Sequence, residues 1–115
     1  MHEVSMAAGI LRMIEEAAER EHFARVSLMR LEIGALAGVE PQALSFALTA
    51  MMPGTCMEGS ELAIDEIPGT VRCLHCAASV EIKSHLDPCP CCGTYTLQAT
   101  GGSEVRIVDL VVFDD

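Results

Sequence analysis

The 115-residue chain is long enough for one ordinary domain, or a domain with a small insert. Half of it is apolar and only Phe23, Phe46, Tyr95 and Phe113 are aromatic, so the core is expected to be aliphatic, with Met as adaptable filler. Seventeen Asp and Glu against seven Lys and Arg give a formal net charge of −10 at pH 7, which argues against a phosphate-reading face and so against nucleic-acid binding.

The first residues, Met1-His2-Glu3-Val4-Ser5, lack the basic stretch and apolar run of a secretory leader. No segment approaches the roughly 18 apolar residues that a membrane-spanning helix needs. The expected location is the cytoplasm, with no membrane partner. In that compartment six cysteines read as metal ligands before they read as disulfides.

In chain order, residues 4–21 predict a helix. Val4, Ala7, Ile10, Leu11, Ile14 and Ala18 form its apolar stripe, and Gly9 is a weak point within it. Residues 25–34 predict a strand in which Met29, Leu31 and Ile33 alternate with Arg30 and Glu32, ending at Gly34. A second helix starts at Pro41 and runs to Met52, stopped by Pro53-Gly54. A strand from Glu61 to Ile67 closes at Pro68-Gly69. After a cysteine-rich module, residues 105–113 make a strand apolar on both faces, which predicts a strand well covered in its sheet. The implied fold is α+β: a small three-stranded sheet flanked by two helices, with an inserted four-cysteine zinc-ribbon or rubredoxin-like subdomain. Residues 1–69 plus 101–115 would form the α/β domain, and 70–100 the metal-binding domain.

The module carries Cys73-Leu74-His75-Cys76 and Cys89-Pro90-Cys91-Cys92-Gly93, two Cys-x-x-Cys pairs separated by twelve residues. Each pair can curl into a knuckle offering two thiolates, and two facing knuckles give a tetrahedron of sulfur suited to Zn²⁺. Cys73, Cys76, Cys89 and Cys92 are the expected ligands. Such a site is closed, so the metal is expected to be structural, with iron as the competing occupant. The connector is expected to form a hairpin with Val80-Glu81-Ile82 as one arm and a turn near Asp87-Pro88. Gly93 suits the exit of the second knuckle, whereas Ala77 stands where the first would turn more easily on glycine. Cys91 reads as a spare thiol or an alternative ligand, and Cys56 as a small buried hydrophobe. His75 is read as an exposed loop residue, or as a group that hydrogen-bonds or replaces a ligand thiolate. His22 and His85 carry no assignment.

At the start of the chain, the Met1 amine, the His2 amide nitrogen and the His2 imidazole can close adjacent chelate rings on one metal ion. Such a nitrogen set is square-planar and suits Ni²⁺ or Cu²⁺. Glu3 would either sit near that metal or contact a partner, or simply place a favourable charge at a helix N-terminus.

Met1-His2-Glu3-Val4-Ser5, the amphipathic helix, Leu31-Glu32-Ile33-Gly34, Glu40-Pro41, Leu62-Ala63-Ile64, the paired cysteines and the closing strand from Glu104-Val105 to Val112 together resemble the HypA/HybF family of hydrogenase maturation nickel metallochaperones. The resemblance spans essentially the whole chain; Ala77 and the extra Cys91 depart from common members. It implies that Ni²⁺ is a transient cargo bound through His2 and nearby backbone nitrogens, with Glu3 close by, and that Zn²⁺ is structural. It implies delivery to the large subunit of a NiFe hydrogenase with the help of the GTPase HypB, and in some members a link to urease maturation proteins. No enzymatic activity is expected, and the chain would act as a monomer or weak homodimer. The main competing reading is a zinc-ribbon adaptor that binds only proteins, and a second is a thiol-disulfide or rubredoxin-like electron carrier.

Overall fold

The computed structural model describes residues 2–113. Helix α1 (His2–Glu21) starts two residues earlier than periodicity alone predicts. It buries Ala7, Ile10, Leu11 and Ile14, one stripe at helical spacing. Helix α2 (Pro41–Met51) buries Leu44, Ala47 and Leu48 and packs against α1. Its N-cap is Glu40, whose carboxylate accepts from the Ala43 amide at 2.7 Å, and Pro41 needs no acceptor for the missing N–H.

Strands β1 (Arg25–Gly34), β2 (Glu61–Ile67) and β6 (Val105–Phe113) form a sheet in the order β2-β1-β6. As the central strand, β1 buries Met29, Leu31 and Ile33 on alternate positions, as its sequence predicts. Fully buried side chains such as Leu31, Leu44 and Leu48 each contribute about 1.5–3 kcal/mol over exposure. Strand β6 departs from expectation. It lies at the sheet edge, and Val108, Val111, Val112 and Phe113 are all exposed. A run of β-branched residues promotes a strand whether or not both faces are later covered, so composition could not tell edge from centre. Arg30 pairs with Asp109 at 3.0 Å and Arg106 with Glu32 at 2.9 Å, fastening β6 to β1.

A second sheet, absent from the predicted elements except for one arm, has the order β4-β3-β5. Strand β3 (Gly69–Cys73) pairs antiparallel with β4 (Ser79–Ile82), matching Val71 with Val80, and with β5 (Leu97–Gly101), matching Cys73 with Leu97. The hairpin therefore runs through the first knuckle, not through the connector. The turn expected near Asp87-Pro88 runs from Ser84 to Asp87: the Asp87 carboxylate accepts from the Lys83 and Ser84 amides and its own amide donates to the Ser84 carbonyl.

The chain divides into two compact units. The first comprises residues 1–31, 39–64 and 107–115; the second comprises 32–38 and 65–106. Within the second, Leu36, Val71 and Ile82 form a small buried apolar cluster, with Val80 and Leu97 packed against it. Gly34 and Gly102 approach so closely there that a Cβ on Gly34 would collide with the Gly102 carbonyl.

Candidate metal centre

The two knuckles are built by the same hydrogen bonds. In the first, the Ala77 amide donates to the Cys73 carbonyl at 2.9 Å and the Cys73 amide to the Ala78 carbonyl at 2.9 Å. In the second, the Gly93 amide donates to the Cys89 carbonyl and the Cys89 amide to the Thr94 carbonyl, both at 2.8 Å. Each turn exits through a left-handed residue, Ala77 at φ 61° and Gly93 at φ 79°. The alanine takes this conformation at a steric cost that the glycine avoids.

These turns bring the Cys73, Cys76, Cys89 and Cys92 sulfurs within 4.8 Å of one another. The Cys73–Cys92 pair is 3.6 Å apart and the Cys76–Cys89 pair 3.7 Å. Four sulfurs around one ion at a metal–sulfur distance of about 2.3 Å stand about 3.8 Å apart, so these two spacings are those of neighbouring ligands in a tetrahedron. They are too long for disulfides, and all four cysteines are free. Cys73 and Cys89 are buried, whereas Cys76 and Cys92 reach solvent. The donor set is therefore one that Zn²⁺ accepts.

Local hydrogen bonds divide the thiols. The Thr94 hydroxyl and the Cys76 amide hold the Cys73 thiol down at about 5, against its burial. Cys92 is lowered too, by the Thr94 hydroxyl and amide and by the His75 ring. The Ala78 amide pulls Cys76 down, but burial and the neighbouring sulfurs of Cys73, Cys89 and Cys92 outweigh it and push the thiol up to about 12. A thiol must give up its proton to ligate, so a dication entering such a cluster releases protons.

The other candidate residues are dispersed. Met1 lies outside the described residues. His2 is exposed in the first turn of α1, and Glu3 is half-buried, its carboxylate accepting from the Glu40 amide at 3.1 Å. That amide holds the Glu3 carboxyl below the usual carboxylate range. Among the described residues the four cysteines are the one cluster of three or more metal-ligating side chains. Cys91 is exposed on the second knuckle. Cys56 is half-buried; its amide donates to Glu15 at 2.6 Å, and burial followed by the Glu15 carboxylate pushes its thiol up to about 11. His85 hydrogen-bonds the Leu36 carbonyl at 3.0 Å. Thr94 and Thr96 belong to no motif in the linear sequence; the one signal for Thr94 is the alignment of Cys73–Ala78 with Cys89–Thr94 as a pseudo-repeat, in which only the second knuckle carries a hydroxyl.

Comparisons with known proteins agree over the full chain. A family model described as "Hydrogenase/urease nickel incorporation, metallochaperone, hypA" matches residues 1–112. The hydrogenase maturation factor HypA of Cupriavidus necator is 52% identical over 114 residues, covering 99% of this chain and 96% of that one. The HypA of Polaromonas naphthalenivorans is 48% identical over 115 residues, covering both chains completely. The solution structure of the Ni metallochaperone HypA from Helicobacter pylori has a similar fold, with TM-score 0.67 at 16% identity over 98% of each chain. This chain therefore belongs to the HypA family of nickel-incorporation metallochaperones of hydrogenase maturation.

Proposed function

We propose that the chain takes up Ni²⁺ at its first residues and releases it for assembly of the active site in the large subunit of a NiFe hydrogenase, in the cytoplasm and with the GTPase HypB as partner. Urease maturation proteins are a second destination within the same reading. The observation that carries the proposal is the family match across residues 1–112. The role is delivery rather than catalysis, by a monomer or weak homodimer.

The proposed nickel donors are the Met1 amine, the His2 amide and imidazole nitrogens, and the backbone beside Glu3. Two features support this set. His2 is exposed, so its ring can reach an incoming ion. The amides of a helix's first turn have no intrahelical acceptor, so giving up a proton to nickel there breaks no helical hydrogen bond. A d⁸ ion gains from four nitrogens in a plane, a geometry that the sulfur tetrahedron does not offer. The Glu3 carboxylate, held by the Glu40 amide, anchors the start of α1 while the His2 side chain stays exposed.

Cys73, Cys76, Cys89 and Cys92 would hold Zn²⁺ in the domain spanning 70–100, where the ion supplies a cross-link between the two knuckles. The small core of the second unit supports a structural role. The cluster of Leu36, Val71 and Ile82 is small, and a small core gains stability from such a staple.

The test is titration of Ni²⁺ into protein with an unextended start, read by visible absorbance, beside a His2→Ala protein. Wild type should develop square-planar nickel bands, and His2→Ala should not, with zinc content and circular dichroism equal in both. Equal nickel capture by the two proteins would refute the delivery role.

A further inference from the structure

The two knuckles share one backbone plan but differ in the residue that follows the left-handed turn. It is Ala78 in the first and Thr94 in the second. The Thr94 hydroxyl lies 3.2 Å from the Cys92 sulfur and 3.5 Å from the Cys73 sulfur, so it reaches one ligand position on each knuckle. The Thr96 hydroxyl stands 3.3 Å behind it. A hydroxyl has one proton to donate and lone pairs to accept with. Thr96 can therefore donate to Thr94 while Thr94 donates to a thiolate. Ala78 has no side-chain donor for the Cys76 sulfur.

Resting on the four-cysteine metal reading, we propose that Thr94 is a positioning residue of the metal centre: its hydroxyl, backed by Thr96, donates its one proton to the Cys92 sulfur, the nearer of its two sulfur neighbours, and leaves Cys76 as the sulfur at which the centre opens. Accessibility narrows the choice. Cys73 and Cys89 are buried, so an incoming reagent or acceptor meets only Cys76 and Cys92. A hydrogen bond to a metal-bound thiolate draws charge from sulfur and makes it a poorer nucleophile. Each of the two exposed sulfurs has the amide of the residue two positions on, Ala78 for Cys76 and Thr94 for Cys92, but only Cys92 has a hydroxyl in addition. The centre is thus asymmetric although its ligands are chemically identical, and ligand exchange is directed to the first knuckle.

The experiment uses the full-length zinc-loaded protein, limiting N-ethylmaleimide with site-resolved mass spectrometry, and zinc transfer to a chromogenic chelator. Among the four ligands, Cys76 should be labelled first in wild type, with zinc release following its modification. Thr94→Val keeps the side-chain shape and removes the hydroxyl. It should expose Cys92 to labelling alongside Cys76 and speed zinc transfer about tenfold, the low end of the effect of losing an outer-shell partner. Thr94→Ser should restore the wild-type order and rate. In Co²⁺-substituted protein, Thr94→Val should move the sulfur-to-metal charge-transfer band to lower energy with the tetrahedral d–d bands retained, a change that general unfolding would not produce. Cys92 labelled first in wild type, or Val, Ser and Thr proteins alike in rate and spectrum, would overturn the proposal. A wild-type protein that binds no equivalent of metal would overturn the metal centre itself, and this proposal with it.

Discussion

The Glu3 carboxylate accepts the Glu40 amide at 3.1 Å, while the Glu40 carboxylate caps α2 through the Ala43 amide at 2.7 Å. The starts of the two helices are thus joined through successive carboxylates. Because the Glu40 amide lowers the Glu3 carboxyl, ionised Glu3 favours the folded state. That contribution is fully present above the ordinary Glu value of about 4.3 and is lost as pH falls through the lower, folded value. The Glu40 amide resonance should follow this titration in NMR, with a midpoint below that of an ordinary Glu. In Glu3→Gln the dependence should vanish. A midpoint at the ordinary value would show that the bond is not formed in solution.

Metal removal should affect the two sheets unequally. Chelation is expected to loosen β3, β4 and β5, whose own core is small, while α1 and α2 persist. Hydrogen exchange should quicken at Val71 and Ile82 and stay slow at Leu44 and Leu48. Loss of protection throughout the chain would contradict this.

Metal binding should release protons, because the Cys76 thiol stands at about 12 and must ionise to become a ligand. Affinity is therefore expected to weaken as pH falls. Calorimetry of Zn²⁺ binding in buffers of different ionisation enthalpy measures the released protons directly. Buffer-independent heats would be inconsistent with protonated thiols in the metal-free cluster.

The left-handed Ala77 is a correctable strain. Ala77→Gly should stabilise the metal-bound protein by about 1 kcal/mol, and Gly93→Ala, at φ 79°, should cost about 1–2 kcal/mol. Chemical denaturation of zinc-loaded variants gives both values. A destabilised Ala77→Gly would mean that the turn gains more from the methyl group than it loses in strain.

Near neutral pH, Cys91 should react with a disulfide reagent well before Cys56. Cys91 is exposed, whereas burial and Glu15 raise the Cys56 thiol to about 11. The raised value also fixes a sign. Any stability that protonated Cys56 contributes is intact below its ordinary value of 9.0 and is lost as pH rises towards 11. Glu15→Gln should make Cys56 more reactive. Unchanged kinetics would remove Glu15 from this role.

Much of the site was legible because it is local. Cys73 and Cys76, like Cys89 and Cys92, are two residues apart, and a knuckle needs little beyond that spacing and a residue able to turn left-handed. Helix stripes such as Ala7, Ile10, Leu11 and Ile14 are equally local, since helix geometry relates side chains three and four apart. Strand identity in β1 followed from period-two alternation. The family resemblance added a cargo and partners that spacing alone does not carry.

What only the tertiary structure decided is pairing between distant segments. Strand order placed β6 at an edge although its composition suits a covered strand, and it set β3 between β4 and β5 although Gly69–Cys73 has no strong strand signal. The Glu3–Glu40 bond spans 37 positions and the Thr94–Cys73 contact spans 21. Short-range residue order determines which groups can turn, cap or ligate. Which of them meet depends on the packing of the whole chain, because hydrophobic burial is non-directional and leaves partner choice to the shape of the assembled core.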